Sequence, residues 1–332
     1  MRIVEDPQKL SGNPLISVLC ITYNQRDYIA AALDSFLAQE FNGPIEVIVN
    51  DDCSTDGTTQ ILLDYQKRRP DVFRIITHEE NQFSKGKSTM GEFVIPLMRG
   101  KYGAMCEGDD YWTDPHKLQY QYDLMTRHPE YVVCCHANEN VQAESGTRLS
   151  VMRYADHDCV VATRDALSRT QCYSTNSLFA TYQALQDYRA SELYRCSCDG
   201  DQKMLVYFAT HGEIYYIDKI MSAYRFLAKN STNRSMLNSP EHAKIAARKR
   251  DARIELLKVA NGGTDGTYGP DFDYGVEQMD YLYYKDIRDM RTLRKRWPKQ
   301  LAQESLPAKV DMFLFTYLPA IHRLVFGMYY RK

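Results

Sequence analysis

Ile45-Glu46-Val47-Ile48-Val49-Asn50-Asp51-Asp52-Cys53-Ser54-Thr55-Asp56-Gly57 is the stretch on which the fold turns. Its first half is β-branched and apolar, as a buried strand should be, and its second half is a polar loop. From about Asp56 to Arg68 the pattern becomes helical. The same alternation surrounds it. Upstream, Leu15 to Ile21 is a short apolar run, followed by a helix with Ile29, Leu33, Phe36 and Leu37 on one face. Downstream, Phe73 to Thr77 reads as a third strand and Gly103 to Cys106 ends a fourth. Strands alternating with helices of about 10–15 residues predict right-handed βαβ units and a parallel sheet.

Ligands of such sheets sit beyond the carboxyl ends of the strands. Three of those ends are polar: Thr22-Tyr23-Asn24, Asn50 to Gly57, and Glu107-Gly108-Asp109-Asp110. Neither G-x-G-x-x-G nor G-x-x-x-x-G-K-[ST] occurs at the first turn, which disfavours a dinucleotide dehydrogenase or a P-loop enzyme. Carboxylates rather than glycines meet the ligand. That points to a diphosphate bridged by a metal.

Glu107, Asp109 and Asp110 can present oxygens to one hard cation, Mg²⁺ or Mn²⁺. The plainer reading is a solvated turn before the helix that follows Asp114-Pro115, a good cap and first-turn pair. Asp51 and Asp52 can grip a base or ribose, while Ser54, Thr55 or Asp56 caps the helix beginning near Gly57. Asp199-Gly200-Asp201 opens a helix from Gln202 to His211. An acid there is favoured by the helix dipole, either as a cap or as a rigid catalytic carboxylate. Asn176 reads as a polar turn before a strand, and Trp112 as a core anchor or as a stacking floor for a sugar.

Three runs together resemble family 2 glycosyltransferases: Ser17 to Asn24 (SVLCITYN), Val49 to Thr58 (VNDDCSTDGT) and Cys106 to Trp112 (CEGDDYW). Glu107 to Gln119 (EGDDYWTDPHKLQ) is similar to bacterial capsule and O-antigen transferases, and the resemblance spans about residues 14–227. It implies a GT-A fold, with a Rossmann-like, mostly parallel central sheet and flanking helices. It also implies inverting transfer from a nucleotide diphosphate sugar, a UDP-sugar before others, to a hydroxyl of a glycan or lipid-linked glycan. By resemblance Thr22, Tyr23, Asn24, Asp51, Asp52 and Glu107 bind the nucleotide, Asp109 binds the metal, and Asp201 matches the catalytic base. Asp110, Trp112, Asn176 and Arg225 are then candidates for donor or acceptor contact.

Two departures stand out. The first acid of the D-x-D motif is Glu107, one methylene longer. Relatives often carry a histidine shortly after a Tyr-Arg pair, but Tyr224-Arg225 continues Phe226-Leu227-Ala228-Lys229; Lys229 or Arg234 could substitute. Rival readings are a nucleotidyltransferase of similar fold, whose Gly-rich basic signature is missing at Ile21 to Asp27, and a catalytically inactive sugar-binding relative.

The resemblance divides the chain into a catalytic domain over 1–230 and a helical C-terminal extension over 231–332. The nucleotide half covers about 14–110 and the acceptor half about 111–230. Charged helices are expected at about Pro240 to Ala260 and Val276 to Trp297, separated by a Gly-rich linker at 261–267. With 41 basic and 43 acidic residues in 332, the net charge of -2 excludes a chain-wide nucleic-acid binder. Mean hydropathy is -0.49 and no run of eighteen residues lacks a charge, so no spanning helix is expected. No signal peptide is read at the N-terminus, and nine cysteines of unrelated spacing are read as reduced thiols in a cytosol. Cys196-Ser197-Cys198 is too close for a zinc knuckle, and the eight histidines show no metal spacing. From Lys285 to Lys332, eleven basic residues against four acids are interspersed with aromatics. The segment 306–332 therefore suits an anionic membrane surface, with a helix packed back or a homo-oligomer contact as the competing readings. The expected location is cytoplasmic, peripheral on the inner face of the cell membrane.

Overall fold

The computed structural model describes residues 1–169, 172–226, 228–229 and 241–326. In chain order the first half comprises β1 (Arg2–Val4), β2 (Ile16–Thr22), α1 (Ile29–Leu37), β3 (Ile45–Asp51), α2 (Thr58–Arg68), β4 (Phe73–Thr77), β5 (Tyr102–Met105), β6 (Tyr111–Trp112) and α3 (Lys117–Arg127). The second half continues with β7 (Tyr131–Gln142), β8 (Arg148–Met152), β9 (Cys159–Val160), α4 (Thr163–Ser168), β10 (Phe179–Thr181), α5 (Tyr182–Ala190), α6 (Glu192–Arg195), α7 (Gly200–His211) and β11 (Glu213–Phe226). After residue 240 come α8 (His242–Gly262), α9 (Gly269–Asp286), α10 (Met290–Arg296), α11 (Pro298–Gln303), α12 (Leu306–Tyr317) and α13 (Pro319–Phe326).

The strands form one sheet in the order β1-β4-β3-β2-β5-β10-β7-β11-β6, with β8 on β7 and β9 on β11. The four strands β4, β3, β2 and β5 are mutually parallel. β10 pairs antiparallel with both β5 and β7 and joins this half to the parallel β7–β11 pair. The fold is thus the expected α/β type, with a central parallel sheet and a helical C-terminal region.

Strand alternation sorts side chains to the two faces. Ile16, Val18 and Cys20 of β2, with Val47 and Val49 of β3, pack under α1 and α2 against Leu33, Phe36 and Leu62. Leu19 and Ile48, between them in sequence, join the opposite core with Met105 and Tyr216. That is the period of two that a two-sided sheet requires.

Glu46 breaks the apolar run of β3 and is fully buried. It is held from four sides. Ser17 Oγ donates to its Oε1 (2.6 Å), as does the Arg99 backbone N–H (2.7 Å). Arg99 Nε (2.8 Å) and Arg74 Nη1 (3.2 Å) donate to its Oε2. The pair Ser17–Glu46 lies at the amino ends of β2 and β3, away from the polar strand mouths.

The core does not divide at residue 230. Leu256, Leu257 and Ala260 of α8, with Phe272 and Met279 of α9, share one cluster with Val133, Tyr173 and Leu205. A separate cluster of Tyr281, Met290, Leu293, Trp297, Leu301 and Met312 builds the last helices. The single helix expected over 276–297 is two, because Arg288 takes a left-handed φ of 57° and Asp289 caps α10 through Thr292 N–H (3.1 Å).

Candidate active site

Three loops meet at the carboxyl ends of β2, β3 and β5. The first two are knitted together. Asn24, at φ 51°, donates its N–H to Ser54 Oγ (2.8 Å) and accepts from Thr55 N–H at Oδ1 (2.8 Å). Arg26 N–H donates to Asp56 Oδ2 (3.0 Å), while Asp56 Oδ1 receives Thr58 N–H and so opens α2. Thr22 Oγ1 donates to Gln25 Oε1 (2.7 Å), and Tyr23 leaves its ring 43% exposed at the mouth of β2.

Asp51 and Asp52 are both buried and both bonded. Asp51 accepts from Ser54 N–H (3.1 Å) and from the Thr59 hydroxyl. Asp52 accepts from the amides of Gln82 (2.6 Å) and Phe83 (2.9 Å). Each carboxylate still has lone pairs beyond those two bonds.

The turn after β5 carries the acids. Gly108 is required there by close approach: a Cβ would stand 2.6 Å from Gln25 Oε1, 2.7 Å from Ile29 Cδ1 and 2.9 Å from Thr22 Cβ. Burial, and then the charges of Asp109 and Asp201, push the Glu107 carboxyl up to about 8. Burial also raises Asp109, against the opposing influence of Arg225 and Gln25. Asp201 is raised by burial and by Asp199, while the Gln202 N–H that its Oδ1 accepts (2.8 Å) works the other way. Glu107 therefore lies in the field of both Asp109 and Asp201, although β6 to β10 separate it from Asp201 in sequence.

Three of the donor or acceptor candidates turn inward and bond within the protein. Asp110 is 1% exposed; its Oδ2 accepts from Asn176 Nδ2 (2.9 Å) and its Oδ1 from Arg225 N–H (2.9 Å). Asn176 is fully buried, with Nδ2 also on Ala223 O (3.2 Å) and Oδ1 accepting from Ser222 Oγ (2.7 Å). Trp112 donates Nε1–H to Asn176 O (3.0 Å), packs on Phe36, and has Lys117 Nζ 4.2 Å from its ring centroid. None of the three offers a surface to a sugar; they hold the acidic turn. Trp112 points into the core because it neighbours Tyr111 in β6, and adjacent strand residues face opposite ways.

Arg225 is the outward member of this hub. Its Nη1 donates to Asp109 O (2.6 Å) and its guanidinium lies 4.5 Å from the Tyr111 ring centroid. With Asp27, Tyr28, Tyr111 and Glu144 it lines an open pocket of about 360 Å³. Lys229 N–H donates to Tyr28 Oη (3.3 Å) at its border; Arg234 lies outside the described residues.

A divalent cation fits the donor set. Glu107 and Asp109 place two carboxylates close together, and among the described residues the one cation acting on Asp109 is Arg225, whose guanidinium bonds its main-chain carbonyl rather than its carboxylate. No cluster of three or more His, Cys, Asp or Glu surrounds one ion position among the described residues. Mg²⁺ and similar ions need only one or two carboxylates when phosphate oxygens and waters complete the shell.

Arg253 escaped the sequence reading. It occupies the buried stripe of α8 with Leu256, Leu257 and Ala260, at i, i+3, i+4 and i+7, and a cation on an apolar stripe was the available signal. Its Nη1 donates to Gln202 O (2.8 Å), next to Asp201, and its Nη2 to Ala166 O (3.1 Å). Asp199 does not cap α7 with its side chain; it pairs with Lys249 of α8 (2.7 Å). Both contacts tie α8 to the start of α7. Arg253→Met is expected to lower unfolding free energy by about 1–3 kcal/mol, since buried carbonyls lose their donor. An unchanged denaturation midpoint would contradict that role.

Residues 17–169 match the glycosyl transferase family 2 domain. An uncharacterized protein of Mycobacterium tuberculosis is 38% identical over 212 residues, 63% of this chain and 58% of that protein. The chain thus spans less than two thirds of the length of that relative. The Escherichia coli UDP-Glc:alpha-D-GlcNAc-diphosphoundecaprenol beta-1,3-glucosyltransferase WfaP is 33% identical over 98 residues, 30% of this chain and 36% of its own. Among solved structures, S. aureus TarS 1-349 in complex with UDP-GlcNAc has a TM-score of 0.55 at 18% identity, covering 90% of this chain and 89% of that one. The mannosyltransferase PcManGT from Pyrobaculum calidifontis, in complex with GDP-Man and Mn²⁺, has a TM-score of 0.55 at 17% identity, covering 99% and 90%. At such identities the likeness is one of fold.

Proposed function

For a chain that carries a family 2 glycosyltransferase domain of GT-A fold, we propose inverting transfer of a sugar from a nucleotide diphosphate to a hydroxyl of a glycan or lipid-linked glycan. The observation that carries this reading is the convergence of Glu107, Asp109 and Asp201. All three are raised by burial, and the charges of Asp109, on the same turn, and of Asp201, at the start of α7, add to that at Glu107. Tyr23, exposed beside the Asp51 and Asp52 loop, stacks on the base. Those carboxylates, with Thr22 and Asn24, shape the nucleotide pocket. UDP-sugars are the first donors to try, because TarS carries UDP-GlcNAc and WfaP is named for UDP-Glc.

Asp109, with Glu107 beside it, would hold Mn²⁺ or Mg²⁺. Such a cation neutralises charge on a departing diphosphate. Asp201 takes the proton from the acceptor hydroxyl, whose oxygen attacks the anomeric carbon on the side opposite the nucleotide. Its raised proton affinity brings it nearer working pH than an ordinary carboxylate. Arg225 and Tyr111 line the pocket beside Asp109 and hold the substrate in register.

A panel of nucleotide sugars, assayed for hydrolysis and transfer with Mn²⁺, tests the reading. At least one donor should turn over, and Asp109→Ala or excess EDTA should abolish turnover and weaken nucleotide diphosphate binding. Full activity in that variant, or in EDTA, would sink it.

A further inference from the structure

Large exposed apolar side chains crowd into one short segment. Leu306, Val310 and Phe313 lie at i, i+4 and i+7 of α12. They are 73%, 43% and 38% exposed. Phe315, Leu318, Ile321, Leu324 and Val325 continue the exposure through α13. Over 306–325 only Met312 and His322 are buried. Elsewhere the exposed large hydrophobics, such as Tyr23, Phe83, Leu149 and Tyr182, are dispersed along the chain. So many large apolar side chains exposed within one short segment mark a contact surface, with Leu306, Val310 and Phe313 on one side of α12.

The charges around it are sorted. Asp311 faces inward between Arg288 (2.7 Å) and His322 (2.8 Å), and Glu304 is bound by Lys285 (2.7 Å) and Tyr281 (2.8 Å). Arg291, Arg294, Lys295 and Lys299 are exposed on α10 and α11. Arg294 lies 5.9 Å from the Phe313 ring centroid and Arg291 5.5 Å from that of Tyr317, so the cations border the apolar face. Acids are satisfied within the protein while cations remain at the rim.

We propose that the face of α12 and α13 is a membrane-contact surface whose partner is an anionic lipid bilayer. The apolar side chains enter the headgroup–acyl boundary and the basic rim meets lipid phosphates. Charge complementarity selects this partner over a second copy, since a two-fold contact would set basic rim against basic rim. No helix among the described residues is long and apolar enough to cross a membrane; α12 has 12 residues where about 20 are needed. The segment lies on the bilayer. This surface shares no residue with the carboxylate site, and its failure would leave that reading untouched.

The test is co-sedimentation of the full chain with vesicles of phosphatidylcholine containing phosphatidylglycerol, beside pure phosphatidylcholine. Binding to the anionic vesicles should fall at least about tenfold as sodium chloride rises from about 0.05 to about 0.5 M. It should also fall about tenfold in Leu306→Glu/Ile321→Glu/Leu324→Glu, whose side chains are already exposed, and in Arg291→Glu/Lys295→Glu/Lys299→Glu. Circular dichroism keeps the test fair by showing that the variants are folded. Equal pelleting of parent and folded variants overturns the proposal. So does a concentration-dependent dimer, seen by sedimentation velocity and lost in the apolar variant, without vesicle binding.

Discussion

Asp201→Asn is expected to leave donor binding within about twofold and to lower transfer by about 10²–10⁴-fold, the usual share of a general base. Asparagine keeps the size and can still accept the Gln202 N–H, so the start of α7 should not move. What it loses is the ability to take a proton. The pH profile separates this from structural damage. Burial, then the Asp199 charge, raises the Asp201 pKa. The base is active only when ionised, so the parent's kcat should climb with pH through a midpoint above the ordinary carboxylate range. That acid limb should vanish in the asparagine variant. If Asp201→Asn instead abolished nucleotide binding and kept turnover, the base would lie elsewhere.

The second large effect lies at the opposite end of the strands. Glu46→Ala is expected to cost about 3–5 kcal/mol of unfolding free energy, the range for breaking a buried ion pair from one side. The variant strips Arg99 of its carboxylate partner, and Arg74 keeps only Glu5 (2.7 Å) and the Leu97 carbonyl (2.6 Å). Ser17 Oγ, which also accepts Gly100 N–H (2.9 Å), loses its acceptor. Against a typical total of about 5–15 kcal/mol, this would leave the protein marginal. Urea denaturation measures it, and a loss below about 1 kcal/mol would show that the network is dispensable. Glu46→Gln should fall between, because it keeps an acceptor for Ser17 and Arg99 N–H but no charge.

The parallel half of the sheet was legible because its strands are β-branched runs bounded by polar loops. β4 (Phe73–Thr77) has the limits read from sequence, α7 (Gly200–His211) begins two residues before the expected Gln202, and β2 and β3 differ by a residue or two. β6 and β10 were not legible: two or three residues carry no period, and partners fix them. The acids of the third loop were equally plain, yet the division of labour among them was not. Asp109 and Asp110 are neighbours of one chemical type. Asn176 and Arg225 then capture Asp110, leaving Asp109 beside Glu107. Tyr111 and Trp112 are distinguished in the same way, by pairing with Ala223 and Ser222. Gly108 shows the limit from another side. Its Cβ is excluded by Thr22, Gln25 and Ile29, and no local pattern encodes an approach between segments so far apart.

The Asp110 hub also orders events during synthesis. Its two partners lie 66 and 115 residues downstream, at Asn176 and Arg225. A nascent chain can pair β2, β3, β4 and β5 soon after Met105 emerges, but the acidic turn stays unclosed until the last strand has left the ribosome. Until then Asp110 lacks the Asn176 amide and the Arg225 N–H that hold its carboxylate, and Asp109 lacks the guanidinium on its carbonyl. A prematurely terminated product ending between residues 106 and 224 would therefore have all four parallel strands and never close the acidic turn.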